Sequence, residues 1–279
     1  MTVPRAARSD GIDQREGGEA EDQYLIQSLV RGVELLRCFN RQQPALSIPE
    51  ITEQTRLNRT TVFRFLHTLG ELNLVTYDPE TRRYSLGIGV LQLGFEYLNG
   101  LPLVDRATPL LRALRDDLGE STHLGVLDGN AVVYLARVAI DRIMNAAVSV
   151  GARLPAASTS MGRVLLAHLP EDQQKDVLRT VELRPRTPQS PATVAELRGV
   201  LSRVRQQGYA ITDQEYEAGV FSMAAPVHDR SGQVIAAVNV TGPVDRFPME
   251  TVQQRHVPAL LRTAQDLSAA LGAVRSRAS

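Results

Sequence analysis

The sequence has no tryptophan, one lysine (Lys175), one cysteine (Cys38) and no long apolar run. A lone cysteine closes no disulfide within the chain and gives no basis for a cysteine-ligated zinc site. The five histidines follow neither HxxxH nor HExxH spacing, so no metal motif emerges and no cofactor is expected. The apolar runs fall well short of the ~18 residues that span a bilayer. The opening MTVPRAARSD lacks an apolar signal core. No membrane partner is expected, and the expected localisation is cytoplasmic. Charge of one sign is also missing, because 31 basic residues balance 31 acidic ones. The chain as a whole is therefore no polyanion binder, and any nucleic-acid contact must come from a local basic patch.

What is present is 279 residues with 43% apolar content, enough for two domains with real cores. Basic residues are nearly all arginine, which pairs bidentately with phosphates and base edges, although genome composition alone gives the same usage. Residues 1–23 are rich in Gly, Glu, Asp and Arg and read as a disordered tail. Residues 24–86 read as one domain, 87–101 as a linker helix and 102–279 as a second domain.

In the first domain, Leu29, Val33 and Leu36 recur at i, i+4 and i+7, predicting a helix over 28–39. Ser47-Ile48-Pro49-Glu50 is a capping-box start for a short helix to Gln54, with Ser47 accepting from Glu50 and Glu50 reaching back. Thr55-Arg56-Leu57 breaks it. Asn58 is an N-cap for a second helix, Arg59 to Leu69, whose buried face is Val62, Leu66 and Leu69. Two short strands, 74–77 and 82–86, flank the turn at Asp78-Pro79-Glu80-Thr81. This is a winged helix-turn-helix, with the second helix destined for the major groove. Its candidate DNA-binding residues are Asn58, Arg59, Thr60, Thr61 and Arg64, with Arg82 and Arg83 in the wing. Arg pairs with guanine, Asn with adenine, and a Thr methyl meets a thymine methyl. From Arg56 to His67 there are three Arg and no acid. The competing reading is an ordinary helical hairpin with solvated arginines.

The helix over 86–98 carries two apolar stripes, Val90/Leu93/Tyr97 and Leu91/Phe95/Leu98. Two stripes call for two packing partners, one within the chain and one in a second copy. Gly100 and Pro102 then break the chain. Beyond them the pattern runs helix (103–118), three strands (122–127, 131–138, 143–150), helices (161–168, 171–179, 193–207), three strands (209–212, 223–228, 233–240) and a closing helix (248–275). Asp128-Gly129-Asn130 is a strong hairpin turn. The expected fold class is α+β, an antiparallel sheet flanked by helices.

Residue runs along the whole chain resemble one family. "IQSLVRGVELLRCFN", "LSIPEITEQTRLNRTTVFRFLHTL" and "YSLGIGVLQLG" resemble the N-terminal domain of IclR-type bacterial regulators. "ESTHLGVLDGNAVVYLARV", "GARLPAASTSMGRVLLAHLP", "QGYAITDQE" and "FSMAAPVHDRSGQVIAAVNV" resemble that family's effector domain. "IQSLVRG" and "FEYLNGLPL" are most similar to the subgroup controlling aromatic-acid catabolism through the β-ketoadipate pathway. The resemblance implies a GAF-like effector domain, a homodimer or tetramer, a palindromic double-stranded operator and a small organic acid effector such as protocatechuate, 4-hydroxybenzoate or β-ketoadipate. An IclR-type repressor of another carbon-source pathway, sensing a small keto acid, is the alternative.

Effector candidates combine both readings. Ser158, Thr159, Ser160 and Met161 run into a helix start whose hydroxyls and free N–H groups suit a carboxylate. By resemblance that segment, Asp213 and Ser222 contact effector, although many relatives carry Cys in place of Ser222. Arg137 is a candidate for charge pairing and Met144 for packing on a ring. Each has a plainer reading: N-cap, turn, surface strand or core residue. Ser160, His123 and Asp213 could form a hydrolase triad, but no G-x-S-x-G elbow accompanies Ser160, so no enzyme is expected. An interaction scaffold built on the two-striped helix is subsumed by dimerisation.

Overall fold

The structure, a computed structural model, describes residues 25–40, 42–140, 148–181 and 183–273. Its contacts divide the chain into two units, with the division at Tyr97/Leu98. The expected tail over 1–23 and the candidate Met144 lie outside the described residues.

The first unit contains α1 (Gln27–Cys38), β1 (Ala45–Leu46), α2 (Ile48–Thr55), α3 (Arg59–Glu71), β2 (Val75–Asp78) and β3 (Arg83–Leu86). The three strands form an antiparallel sheet in the order β1-β3-β2. Val62, Leu66 and Leu69 of α3 are buried as their spacing predicts, against Leu35, Phe39, Leu46, Ile51 and Val75. Side chains three and four residues apart lie on one helix face, so this set seats α3 and turns Arg59, Thr60 and Arg64 to solvent. The turn between α2 and α3 is made by Arg56 in the left-handed region, at φ 56. Two features differ from the sequence reading. β1 is an extra two-residue strand, too short to leave an alternating pattern. In α1 the stripe is split, with Leu36 packed on the core and its other two members open. Leu29 is 65% and Val33 39% exposed, and Leu35 is the residue buried. Periodicity identifies an apolar face but does not say what covers it.

Helix α4 (Ile88–Asn99) follows. Leu91, Leu93, Phe95 and Tyr97 are each more than half exposed, so most of both stripes lacks the intrachain cover expected of one of them; Leu98 does pack onto the core of the second unit.

The second unit begins with α5 (Pro102–Leu118). The break expected at Gly100 and Pro102 is present, since α4 ends at Asn99 and α5 begins at Pro102, whose missing N–H costs nothing in a first turn. Then follow β4 (Ser121–Asp128), β5 (Ala131–Val138), β6 (Arg153–Pro155), a 3₁₀ turn (Ala156–Ser158), α6 (Ser160–Ala167), α7 (Glu171–Thr180), α8 (Val194–Gln207), β7 (Ala210–Asp213), β8 (Val220–His228), β9 (Val234–Pro243) and α9 (Val257–Ala270). The strands form one antiparallel sheet in the order β6-β5-β4-β9-β8-β7. One face packs on α5 and α9 through Leu111, Leu114, Leu124, Met223, Val238, Leu260 and Leu267. The other packs on α6 and α8 through Val132, Tyr134, Met161, Leu165, Leu197, Leu201 and Ala224.

The strand expected over 143–150 is a correction. Val148 to Val150 are not strand, and 143–147 lie outside the described residues. The third strand of this half is β6, three residues later, where Leu154 lies opposite Val132. Gly151, at φ 84, turns the chain into it. The closing helix is present, helical from Met249 to Ala270, but not α throughout. A π-turn at Val252–His256 precedes α9, and Pro258 explains it. A proline has no N–H to bond and its ring crowds the carbonyl four residues back, which a wider turn relieves.

The 3₁₀ turn closes against the first turn of α6 because Gly162 has no side chain. A Cβ there would lie 2.1 Å from the Ala156 carbonyl oxygen and 2.3 Å from its Cα, which are backbone atoms that cannot yield cheaply. Gly199 on α8 is exposed, and a Cβ there would meet only the end of Arg203, at 3.8 Å. We therefore expect Gly162→Ala to destabilise the chain by about 1–3 kcal/mol. Gly199→Ala should stabilise it by up to about 1 kcal/mol through helix propensity. Urea unfolding of the full chain followed by circular dichroism measures both.

Candidate functional site

The exposed face of α3 is the first candidate. Asn58 caps the helix, its Oδ1 accepting from the Thr61 N–H at 2.8 Å. That leaves its amide N–H groups for an outside acceptor. Arg59, Thr60 and Arg64 are exposed and Thr61 is half-buried. Sequence reasoning passed over Phe63, which is 54% exposed and stacks on His67 with ring centroids 6.5 Å apart. An open groove of about 450 Å³ runs between Ile48, Pro49, Arg59, Thr60 and Phe63. Its signal was available, since Phe63 sits one residue off the buried Val62/Leu66/Leu69 set.

The two wing arginines part company. Arg82 is exposed, at φ 54 in the hairpin turn. Arg83 is tied down within the unit, donating to the Ala45 carbonyl at 2.9 Å and pairing with Glu50 at 3.0 Å. Glu50 also receives the Ser47 hydroxyl and backbone N–H, each at 2.7 Å. Those bonds, the hydroxyl first and Arg83 after them, hold the Glu50 carboxyl down at about 2. The capping box that starts α2 therefore also anchors the wing, which makes Arg83 a structural residue first.

The second candidate lies where α6 meets the sheet. β4 and β9 place His123 directly opposite Asn239, and β8 brings Ser222 in beside them. His123 Nδ1 and Asn239 Oδ1 are 2.9 Å apart, Asn239 Nδ2 donates to Ser222 Oγ at 3.1 Å, and Ser222 Oγ lies 2.7 Å from Ser160 Oγ at the start of α6. One buried hydrogen-bonded row thus crosses three strands and ends on a helix N-terminus. Tyr134 stands edge-on to His123, with centroids 5.4 Å apart. Arg137 lies opposite His123 on β5, and its buried Nε has no hydrogen bond among the described residues. Burial, more than the nearby Arg137 charge, pushes His123 down to about 4, so it is neutral at pH 7. Burial also pushes the Tyr134 phenol up, keeping it protonated.

Ser160 and Ser222 are therefore brought together with Arg137 nearby. His123, Asn239 and Tyr134 complete the cluster, and none of the three had been assigned to an effector site. No motif marks them, because strand pairing assembles them from three separate segments. Met161 is fully buried; Gly125 beneath it makes the room, since a Cβ there would lie 3.1 Å from the methionine methyl. Thr159 is spent as the cap of α6, accepting from the Gly162 N–H and donating to the Pro155 carbonyl. Ser158 lies in the 3₁₀ turn, half-buried. Asp213 stands apart from the cluster: it is exposed and, among the described residues, its side chain takes only the Gln214 amide, at 3.3 Å. Strand alternation is the cause. Ala210 and Thr212 face α6, whereas Ile211 and Asp213 point to the opposite side. The acid that reaches α6 is Glu215, paired with the buried Arg163. The imagined triad does not assemble, because Asn239 and Ser222 stand between His123 and Ser160.

Comparison with known proteins covers both units. A model of the IclR helix-turn-helix domain matches residues 28–79, and a model of the bacterial transcriptional regulator IclR C-terminal domain matches residues 95–269. The chain is 38% identical over 247 residues to the Pca regulon regulatory protein of Pseudomonas putida, covering 88% of this chain and 84% of that protein. A transcriptional regulator of Rhodococcus sp. RHA1 has a crystal structure that matches with 39% identity and a TM-score of 0.79, covering 88% of this chain and 98% of that one. An IclR homologue of Microbacterium hydrocarbonoxydans, crystallised with 4-hydroxybenzoate, matches with 25% identity and a TM-score of 0.75, covering 88% and 98%.

The neutral His123 has a consequence for stability. Its folded value, about 4, lies below the ordinary 6.5. As pH falls, the unfolded chain takes up this proton first, so acidification from about 6.5 to about 4 favours unfolding and the effect saturates below that. Over that window this one residue contributes a slope approaching 1.4 kcal/mol per pH unit. We expect His123→Gln to remove about one proton from the acid limb of a stability-versus-pH curve measured by urea unfolding. An unchanged slope would mean His123 is not buried in neutral form.

Proposed function

Because the chain belongs to the IclR family of bacterial transcription regulators, we propose that it controls genes of aromatic-acid catabolism, by the β-ketoadipate route, in response to a small carboxylate. It is a DNA-binding transcription regulator, from families of regulators and not of enzymes. The observation that carries the pathway is its 38% identity to the Pca regulon regulatory protein. The 4-hydroxybenzoate found with the Microbacterium homologue supports an aromatic acid as effector.

In this reading α3 lies in the major groove. Arg59 and Arg64 pair with base edges, Thr60 and Thr61 meet bases or phosphates, and Asn58 offers its free amide hydrogens. Arg82 reaches phosphate or the minor groove, while Arg83 fixes the wing that carries it. The effector sits against the row from Ser160 and Ser222 to His123. Its carboxylate is met by the start of α6 and by the positive charge of Arg137. The protein works in the cytoplasm as a dimer or tetramer, and exposed Leu29 and Val33 on α1 with Leu91, Leu93 and Phe95 on α4 are the surfaces a second copy would cover. A two-fold dimer asks for a two-fold operator. Among the described residues no helix is long and apolar enough to cross a membrane.

Arg59→Ala or Arg64→Ala is expected to weaken binding to the specific operator by about 1–3 kcal/mol while binding to random DNA changes little. Arg82→Ala should weaken binding to both alike and reduce the salt slope by about one. Footprinting upstream of the protein's own locus, followed by titration at several salt concentrations, measures these effects. No protected sequence, or equal loss on specific and random DNA in the α3 variants, would remove α3 as the reading surface. Retention of the footprint with every aromatic acid, and its response to a small keto acid alone, would move the protein to another carbon-source pathway.

A further inference from the structure

The polarity of the buried row carries information about the ligand. Asn239 presents Oδ1 to His123 and Nδ2 to Ser222, so the amide is committed at both ends. An amide oxygen only accepts, so the Nδ1 of His123 must be the nitrogen that carries the proton. In a neutral imidazole the other nitrogen, Nε2, is then a lone-pair acceptor with no hydrogen to give. Nε2 has no hydrogen bond among the described residues. No described neighbour is recorded as bonding to it: Tyr134 meets the ring edge-on, Asn239 occupies the opposite nitrogen, and Arg137, opposite on β5, leaves its Nε unbonded. The ring is 2% exposed, yet Nε2 is not among the sealed, unpartnered atoms of the described residues, so the little exposure the ring keeps leaves this acceptor open to a ligand.

We infer that His123 is a specificity-determining residue whose Nε2 accepts a hydrogen bond from a hydroxyl on the effector, so that the site takes small organic acids bearing a donor, hydroxybenzoates among them. This rests on the reading of the row as an organic-acid site. A ligand with a methoxy, a ketone or a bare ring edge at that place sets acceptor or hydrocarbon against a buried lone pair, which then stays unpaired at a real cost. A site that hydrogen-bonds a ligand hydroxyl rejects analogues lacking it far more strongly than a hydrophobic pocket rejects a missing methylene. The neutral state set by burial keeps the acceptor available across the physiological pH range.

The test is calorimetric titration of the full-length protein with 4-hydroxybenzoate, 4-methoxybenzoate, benzoate and β-ketoadipate. We expect 4-hydroxybenzoate to bind at least tenfold tighter than the other three. His123→Phe, which keeps a ring beside Tyr134 but removes the acceptor, should abolish that preference, so that 4-hydroxybenzoate and benzoate bind alike whatever the variant costs both of them. A second measurement needs no variant: nitrogen NMR of the wild-type ring should show Nδ1 protonated and Nε2 unprotonated, with Nε2 shifting on adding 4-hydroxybenzoate. Equal binding of all four, a preference that survives His123→Phe, or an Nε2-protonated ring overturns the inference and leaves the organic-acid site standing. Failure of every probe to bind at millimolar concentration removes the organic-acid site itself, and the inference with it.

Discussion

The guanidinium of Arg163, 1% exposed on α6, is the contact on which the ligand side of the second unit depends. It donates to the Ala157 carbonyl at 3.1 Å and forks onto both oxygens of Glu215, at 2.8 and 2.5 Å. Glu215 in turn offers its backbone carbonyl to Ser190 and Thr187. Three segments remote in sequence, the turn before α6, the loop over 187–190 and the stretch after β7, are thus pinned to one charge. A buried pair of this kind adds little net stability over a well-packed apolar set, but removing one partner strands the other and is costly. Its value here is positional. It fixes the start of α6, and so Ser160, against Ser222 and the sheet, while Arg186 lies over the Tyr216 ring, 4.5 Å from its centroid, beside the same loop.

The first unit solves its own positioning problem with a smaller network. Ser47, Glu50 and Arg83 join a helix start to a strand of the wing, so the cap that begins α2 also sets the height of the hairpin. The arrangement is half-exposed and is weak taken bond by bond. It nevertheless sorts two adjacent arginines into different duties. Arg83 faces inward at a strand residue and is satisfied by protein. Arg82 stands in the turn, with its charge left for solvent or a phosphate.

This division explains what the sequence could and could not reveal. Helix α3 was legible because its cap, its spacing and its buried face all agree: Asn58 caps it, and Val62, Leu66 and Leu69 are buried. Local consistency of that kind needs no tertiary knowledge. The hairpin at Gly129 was legible for the same reason. The buried row was not, because His123, Ser222 and Asn239 meet only through the pairing of β4, β9 and β8, and register is not written in any one strand. A motif match names Asp213 without naming its face; one position of strand alternation separates it from the α6 side. The stripe on α1 is divided. Leu29, Val33 and Leu36 are spaced as a helix face, and Leu36 packs on the core while Leu29 and Val33 stay exposed among the described residues.

Those uncovered side chains constrain how a ligand could act at a distance. A ligand moves an equilibrium only by its differential affinity for two states, so filling the site near Ser160 is not in itself a signal. In the proposed scheme the two states must differ in how copies of the chain are arranged, since a two-fold operator reads spacing between heads and not the shape of one head. α4 is where the division between units falls, and it leaves Leu91, Leu93, Phe95 and Tyr97 open. A helix with apolar side chains around most of its girth can be buried in more than one register at similar cost. That property suits it to be the two-state element, whereas the close-packed start of α6, with Gly162 against Ala156, has one arrangement only. Reciprocity then follows: if the effector alters operator affinity, operator binding must alter effector affinity by the same factor. A coupling carried by α4 should therefore weaken when its exposed leucines are made polar, even though none of them touches the ligand row or the face of α3.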